Sequence, residues 1–288
     1  MKELVIISGK GGTGKTSLLA AFASLAEKKV LCDADVDAAD LHLIMKPRIR
    51  KRHDFQSGHT ACINRDKCIQ CGLCRDLCKF EAISEHFEVD PVSCEGCGVC
   101  VYFCPEKAID FPVKTCGEWY ISDTRFGPMV HARLGIAEEN SGKLVSLVRR
   151  EARKIAEEKN LGLILTDGPP GVGCPVIASI GGASAVLIVT EPTVSGKHDM
   201  QRVIQLADFF NIPALVCINK FDLNTEMSRE IEDFAEEKKL TCVGHIPFDP
   251  VFIQSMVKEK TVIEYEPDGE AGQALKKIWD GLVKKLGL

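Results

Sequence analysis

Eight cysteines fall in two quartets of the same spacing. Cys68, Cys71, Cys74 and Cys78 recur as Cys94, Cys97, Cys100 and Cys104, each displaced by 26 residues, and Ala82-Ile83 recurs as Ala108-Ile109. A duplicated small unit is the economical reading. The 288 residues hold fourteen cysteines, too many for a generic cytosolic enzyme, so a disulfide framework or metal ligation must account for them. The amino terminus chooses between these. Met1-Lys2-Glu3 leads straight into the apolar run Leu4-Val5-Ile6-Ile7 and then into glycines, with no room for an h-region and a cleavage site. The expected compartment is the cytoplasm, and the cysteines are expected to be thiolates.

Outside the repeat the chain alternates. Apolar runs at Leu4–Ser8, Val30–Cys32, Leu161–Thr166, Ala185–Thr190 and Ala214–Ile218 read as strands covered on both faces. Helical patterns at Thr16–Lys28, Ser141–Lys159 and Lys197–Phe210 lie between them, which predicts an α/β fold with a parallel sheet wound by helices. The alternation fails between Lys46 and Gly117. Residues 47–117 are therefore expected to be a domain inserted into a core formed by 1–46 and 118–288. The insert is preceded by the basic residues Lys46, Arg48, Arg50, Lys51 and Arg52, read as a solvated hairpin edge, with a docking patch as the alternative. A net charge of −5 with 45% hydrophobic and 27% charged residues excludes wholesale disorder and gives no reason to expect nucleic acid. The longest uncharged stretch, Gly168 to Thr190, carries Pro169, Pro170 and Pro175 and does not read as a membrane span.

Gly9-Lys10-Gly11-Gly12-Thr13-Gly14-Lys15-Thr16, followed by Ser17, fits G-x-x-x-x-G-K-[ST] and stands between an apolar strand and a helix start. Such a loop wraps a phosphate with inward-pointing N–H groups; Lys15 neutralises the β- and γ-phosphates and Thr16 offers a hydroxyl to Mg²⁺. The additional Lys10 makes the loop resemble the deviant Walker A of the MinD/Mrp/ParA and nitrogenase iron protein superfamily. That resemblance implies a homodimer enclosing two ATP molecules, with Lys10 reaching the partner's nucleotide. Cys32-Asp33-Ala34-Asp35-Val36-Asp37-Ala38-Ala39-Asp40-Leu41 is similar to the family's switch I, which implies that Asp35 positions the attacking water; Asp33, Asp37 and Asp40 are secondary candidates. Leu161–Thr166 runs into Asp167-Gly168-Pro169-Pro170-Gly171, which resembles a Walker B strand and the Mrp-type switch II. Asp167 would hold Mg²⁺ through water, and Gly168 and Gly171 would sense the γ-phosphate. Asn219-Lys220-Phe221-Asp222 formally matches the guanine-reading N-K-x-D, but the loop is of the ATP-using kind and the family resemblance implies that an Asn here contacts adenine, so Asn219 and Lys220 are expected to lie at an adenine, with GTP as the alternative.

The two cysteine quartets, the second followed by Pro105, resemble the halves of a bacterial two-cluster ferredoxin. The resemblance implies one [4Fe–4S] cluster on Cys68, Cys71, Cys74 and Cys104 and a second on Cys94, Cys97, Cys100 and Cys78. Zinc is the alternative. Lys79 replaces the proline usual after Cys78. Of the other cysteines, Cys32 and Cys217 read as core residues. Cys174 stands seven residues after Asp167, as a cluster ligand does in the nitrogenase iron protein, but the stretch expected to supply a second cysteine reads Glu139-Asn140-Ser141-Gly142. A switch-adjacent thiol is the expectation there.

Leu275, Ile278, Trp279, Leu282, Val283 and Leu286 recur at helical spacing and predict a last core helix rather than a membrane tail. The whole chain is thus similar to MinD-superfamily P-loop NTPases carrying an inserted ferredoxin-like α+β domain. The function expected from that resemblance is an ATPase, forming an ATP-dependent homodimer, that couples nucleotide state to electron transfer toward a redox protein partner. A cluster carrier of the Mrp type and a redox-sensing positioning ATPase are the competing readings.

Overall fold

The computed structural model describes residues 1–135, 138 and 140–288; Glu139, in the stretch compared above, lies outside them. The chain begins β1 (Lys2–Ser8), α1 (Lys15–Leu25), β2 (Lys29–Asp33), α2 (Leu41–Met45) and β3 (Arg48–His59). It continues through β4 (Cys62–Ile63), α3 (Leu73–Asp76), α4 (Val99–Phe103), β5 (Ile109–Asp110), β6 (Val113–Thr124) and β7 (Gly127–Leu134). Then come α5 (Ser141–Glu158), β8 (Leu163–Pro170), α6 (Cys174–Ile180), β9 (Ala185–Thr190), α7 (Val194–Phe209) and β10 (Ala214–Asn219). The last elements are α8 (Thr225–Glu237), β11 (Thr241–Ile246), α9 (Val251–Val257), α10 (Val262–Tyr265) and α11 (Glu270–Leu286). These fall into two compact units, one of Met1–His53, Trp119–Arg133 and Ser141–Leu288, the other of Asp54–Glu118 and Leu134–Asn140.

The first unit is built on a sheet whose strands, among the described residues, follow the order β11-β10-β9-β1-β8-β2-β7-β6-β3. The six neighbouring pairs from β11 to β7 are parallel. Side chains of β1 alternate between two cores because successive residues of a strand point to opposite faces. Leu4 and Ile6 join Leu18 and Phe22 of α1 and Leu275 and Trp279 of α11. Val5 and Ile7 join Val176 of α6, Met200 and Val203 of α7 and Ile231 of α8. Both faces are covered, as the unbroken apolar runs require. The C-terminal stripe faces this core, with Leu275, Ile278, Trp279 and Leu282 buried. No helix among the described residues is long and apolar enough to cross a membrane.

Where the insert begins, the sequence reading and the fold differ. Residues 48–53, expected in the insert, are the first half of β3 and belong to the first unit. Their side chains are exposed on the last strand of the sheet, so they carry charges where a buried strand would carry apolar residues. Arg50 there pairs with Asp123 of β6 at 2.6 Å. The chain leaves the first unit within β3, returns within β6 and leaves it again for Leu134–Asn140, a stretch expected in the core that falls in the second unit.

The second unit repeats in structure as it does in sequence. Gly72 and Gly98, both at positive φ (83° and 74°), precede α3 and α4, and Glu81 and Lys107 (51° and 48°) end the two halves with the same turn. Asn64 N–H donates to Ala108 O and Asp90 N–H to Ala82 O, both at 2.8 Å. Cys68 N–H donates to Asn64 O and Cys94 N–H to Asp90 O, both at 3.1 Å. The extended segments cross over: Ile63 of β4 pairs antiparallel with Ile109 of β5, and Ile83 with Val89. Each half thus completes its ribbon with a strand from the other, around a small core of Ala82, Ile83, Ala108 and Ile109.

Candidate functional site

The C-terminal ends of β1, β8 and β2 bring the nucleotide-motif residues of the first unit together. Gly9 packs against α7 so closely that a Cβ would lie 2.2 Å from Asp199 Cβ. Gly12 and Gly14 hold φ of 78° and 87°, which turns the loop back onto the start of α1. A Cβ on Gly11 or Gly12 would meet nothing within 4 Å, so the loop is uncovered at these positions. Lys15 is buried at the start of α1, its ammonium 4.0 Å from Asp35 Oδ2. Thr16 Oγ1 donates to Asp167 Oδ2 at 2.6 Å.

Asp33 and Asp167 stand opposite each other in the β2–β8 register, and Ala34 N–H donates to Asp167 O at 2.8 Å. Among the described residues, the buried atoms Thr13 Oγ1, Asp33 Oδ2 and Asp167 Oδ1 have no hydrogen-bond partner. Buried polar atoms rarely go unpaired, and a glycine loop beside two buried carboxylates and a buried lysine is a set of groups that suits a Mg²⁺-nucleotide. Burial pushes Asp167 up to about 7, against the opposing pull of Lys15 and Thr16. Burial likewise lifts Asp35 to about 6, with Lys15 opposing, and holds Asp33 well above the usual carboxylate range with Asp167 adding repulsion. Asp37 and Asp40 are exposed, and Asp40 precedes α2 without capping it.

β8 runs on to Pro170, four residues beyond the strand end expected at Thr166, because its pairing with β1 continues to Ser8. Gly168 allows this: a Cβ there would lie 2.5 Å from Ile7 Cγ2. Gly171, at φ 92°, donates its N–H to Ser8 O at 2.9 Å. Cys174 is exposed at the start of α6, where a Cβ on Gly142 would lie 3.5 Å from Cys174 Cβ.

Asn219, at the end of β10, braces the loop by donating from Nδ2 to Thr13 O at 2.8 Å. It also lines an open cleft of about 190 Å³ with Ser17, Phe248, Phe252, Ile253 and Met256. Sequence reasoning missed the apolar half of this cleft. The signal was Pro247-Phe248-Asp249 directly after β11, since ligands in open α/β sheets bind beyond the carboxyl ends of strands. Asp222, the residue that would read guanine, instead accepts a hydrogen bond from Phe248 N–H at 2.6 Å and so ties down the cleft wall. Glu191 was also missed. Its carboxylate pairs with Lys10 at 3.3 Å and with Lys220 through its other oxygen.

In the second unit, Cys68, Cys71, Cys74 and Cys104 line one small cavity of about 20 Å³, together with apolar side chains such as Ile63 and Ile109. These are three cysteines of the first quartet and the last of the second. Ala108 N–H donates to Cys104 Sγ at 3.3 Å. Burial holds the Cys74 thiol up, as does the proximity of Cys68 and Cys71; Cys100 is held up by burial and by Cys94 and Cys97. Clustered thiols in an apolar cavity, with backbone N–H groups aimed at sulfur, suit a group that binds them as thiolates.

A profile of the CobQ/CobB/MinD/ParA nucleotide binding domain matches residues 4–262. The uncharacterized protein MJ0578 of Methanocaldococcus jannaschii is 38% identical over 225 residues, covering 77% of this chain and 79% of that one. Pyruvate synthase subunit PorD of Methanothermobacter marburgensis is 43% identical over 47 residues, a segment that is 16% of this chain and 58% of PorD. Among solved structures, the cell division ATPase MinD of Pyrococcus furiosus superposes with a TM-score of 0.61 at 17% identity, over 99% of both chains, a likeness of fold.

Proposed function

This chain belongs to the CobQ/CobB/MinD/ParA family of nucleotide-binding domains, and we propose that it is an ATP-hydrolysing iron–sulfur protein that couples nucleotide state to electron transfer through two [4Fe–4S] clusters. The observation that carries the iron–sulfur half is the cavity shared by Cys68, Cys71, Cys74 and Cys104, the set that a crossed two-cluster arrangement requires. Cys94, Cys97, Cys100 and Cys78 form the complementary set. The clusters, when bound, supply one-electron transfer.

In the first unit, the backbone of Gly11 to Gly14 and the ammonium of Lys15 receive the phosphates, while Thr16 and Asp167 hold the cation. Mg²⁺, when bound, offsets charge building on the phosphate oxygens. Asp35, beside Lys15 and with its pKa raised to about 6 by burial, orients the attacking water. The base lies in the cleft of Asn219, Phe248 and Met256. Adenine is favoured there because the Asp222 carboxylate is engaged by Phe248 N–H. Lys10 acts across a nucleotide-dependent homodimer. Coupling runs along the chain, since the segment that carries Asp35 leads through α2 into β3 and on to the cysteines.

An anaerobic redox titration followed by EPR, with Mg-ATP, Mg-ADP and no nucleotide, tests the coupling. A shift of about 59 mV would correspond to roughly 1.4 kcal/mol for a one-electron cluster. Potentials and EPR spectra unchanged by nucleotide would rule out coupling through the clusters. In the same preparation Lys15→Ala is expected to abolish ATP hydrolysis while iron content stays at the wild-type level; wild-type turnover would refute the assignment of the loop.

A further inference from the structure

We propose that Glu232, Cys242 and His245 form a binding site for a divalent transition metal, with Zn²⁺ the ion that fits the donors. One ligand atom from each lies within 4.8 Å of the others, and His245 Nε2 is 2.8 Å from Glu232 Oε1. None of the three lines the nucleotide cleft or the cysteine cavity.

The backbone is built to bring them together. Cys242 and His245 are three apart on β11, and in a regular strand such positions face opposite sides of the sheet. The register with β10 slips here: Val216 pairs with Cys242 but Cys217 pairs with Gly244, so Val243 is an extra residue. A bulge of this kind re-aims side chains. It returns Cys242 and His245 to one face, where Glu232 of α8 meets them. Gly244 makes the bulge possible, with φ of 149° and a site where a Cβ would sit 2.8 Å from Ile278 Cγ1.

A thiolate, an imidazole and a carboxylate are borderline-soft donors that suit Zn²⁺ and not Mg²⁺ or Ca²⁺. The side chains of Glu232 and His245 are about one-third exposed, at 36% and 32%, which leaves a fourth position for water. Bound metal would pin the edge strand β11 to α8. It would do so beside the base cleft, since Ile246, next to His245, pairs with Asn219.

The test uses the full chain with its iron loaded, dialysed against micromolar Zn²⁺, with zinc and iron measured in each sample by mass spectrometry. The wild type is expected to retain one zinc per chain more than Cys242→Ser or His245→Gln, at equal iron content and equal nucleotide binding. Its zinc absorption edge should report one sulfur and two or more nitrogen or oxygen neighbours, and zinc should raise its unfolding temperature but not that of the variants. Equal zinc in all three proteins, or zinc held by sulfur alone, would overturn the proposal. Should Cys242→Ser fail to fold, Glu232→Gln on the helix carries the same comparison, and unchanged zinc retention there would overturn it.

Discussion

His131 of β7 is a buried imidazole that the fold keeps neutral. Its Nε2 shares a hydrogen bond with Ser122 Oγ at 2.9 Å, and its ring stacks on Tyr120 with centroids 4.9 Å apart. Burial, with a smaller contribution from His42, pushes its pKa down to about 4 from an ordinary 6.5. The unfolded chain takes up this proton near pH 6.5 and the folded chain resists until about 4. Stability from this group is therefore full above about 6.5 and falls with pH through that window, by about 3 kcal/mol in all. His131→Gln should flatten that part of the pH dependence, read as the change in denaturant midpoint between neutral and acid pH; an unchanged slope would show that the imidazole is not the cause. At the same scale, Asp222 shows what a motif can hide. N-K-x-D is legible as a spelling, but the partner that occupies its carboxylate, Phe248 N–H, lies 26 residues along the chain and becomes visible only on folding.

Among the elements, α5 is held by a buried ion pair. Arg149 meets Glu3 of β1 through two hydrogen bonds of 2.8 Å and also donates to Ala178 O and Gly181 O at the end of α6. Arg153 and Thr166 complete the shell around Glu3. Removing one member of such a pair strands the other in the protein, which costs about 3–5 kcal/mol. Arg149→Met should cost somewhat less, about 3 kcal/mol, because Arg153 remains; urea unfolding measures it, and a loss below about 1 kcal/mol would mean that the pair is no more than a surface bridge. The strands β1, β2, β8, β9 and β10 were legible because both their faces are buried. β6 and β7 were not, and of β3 only the basic start was read, as a solvated edge; the rest is a mostly exposed run with two buried residues, Phe55 and Ser57. The extra residue in β11 was equally hidden, because a bulge is defined by the neighbouring strand and not by its own sequence.

In the molecule as a whole, the duplicated cysteines were the most legible feature, and their resemblance to a two-cluster ferredoxin already implied the crossed sets; the strand exchange beneath them was not legible. Spacing names the two quartets, but the exchange of strands between halves follows from Ile63 pairing with Ile109 and Ile83 with Val89. Neither half is complete alone. Cys104→Ser is accordingly expected to lower iron by about half, taking the cluster of Cys68, Cys71 and Cys74 and sparing that of Cys94, Cys97, Cys100 and Cys78; retention of full iron, or an EPR signal lost from the other site, would contradict the crossed assignment. Lys10 rests on Glu191 of its own chain; under the proposed homodimer it would have to leave Glu191 to serve a second copy. Departure of a sole partner would abandon a carboxylate that is 13% exposed. Lys220 holds the same carboxylate by its other oxygen. Glu191 therefore works as a mooring with two lines, and casting one off leaves the other fast.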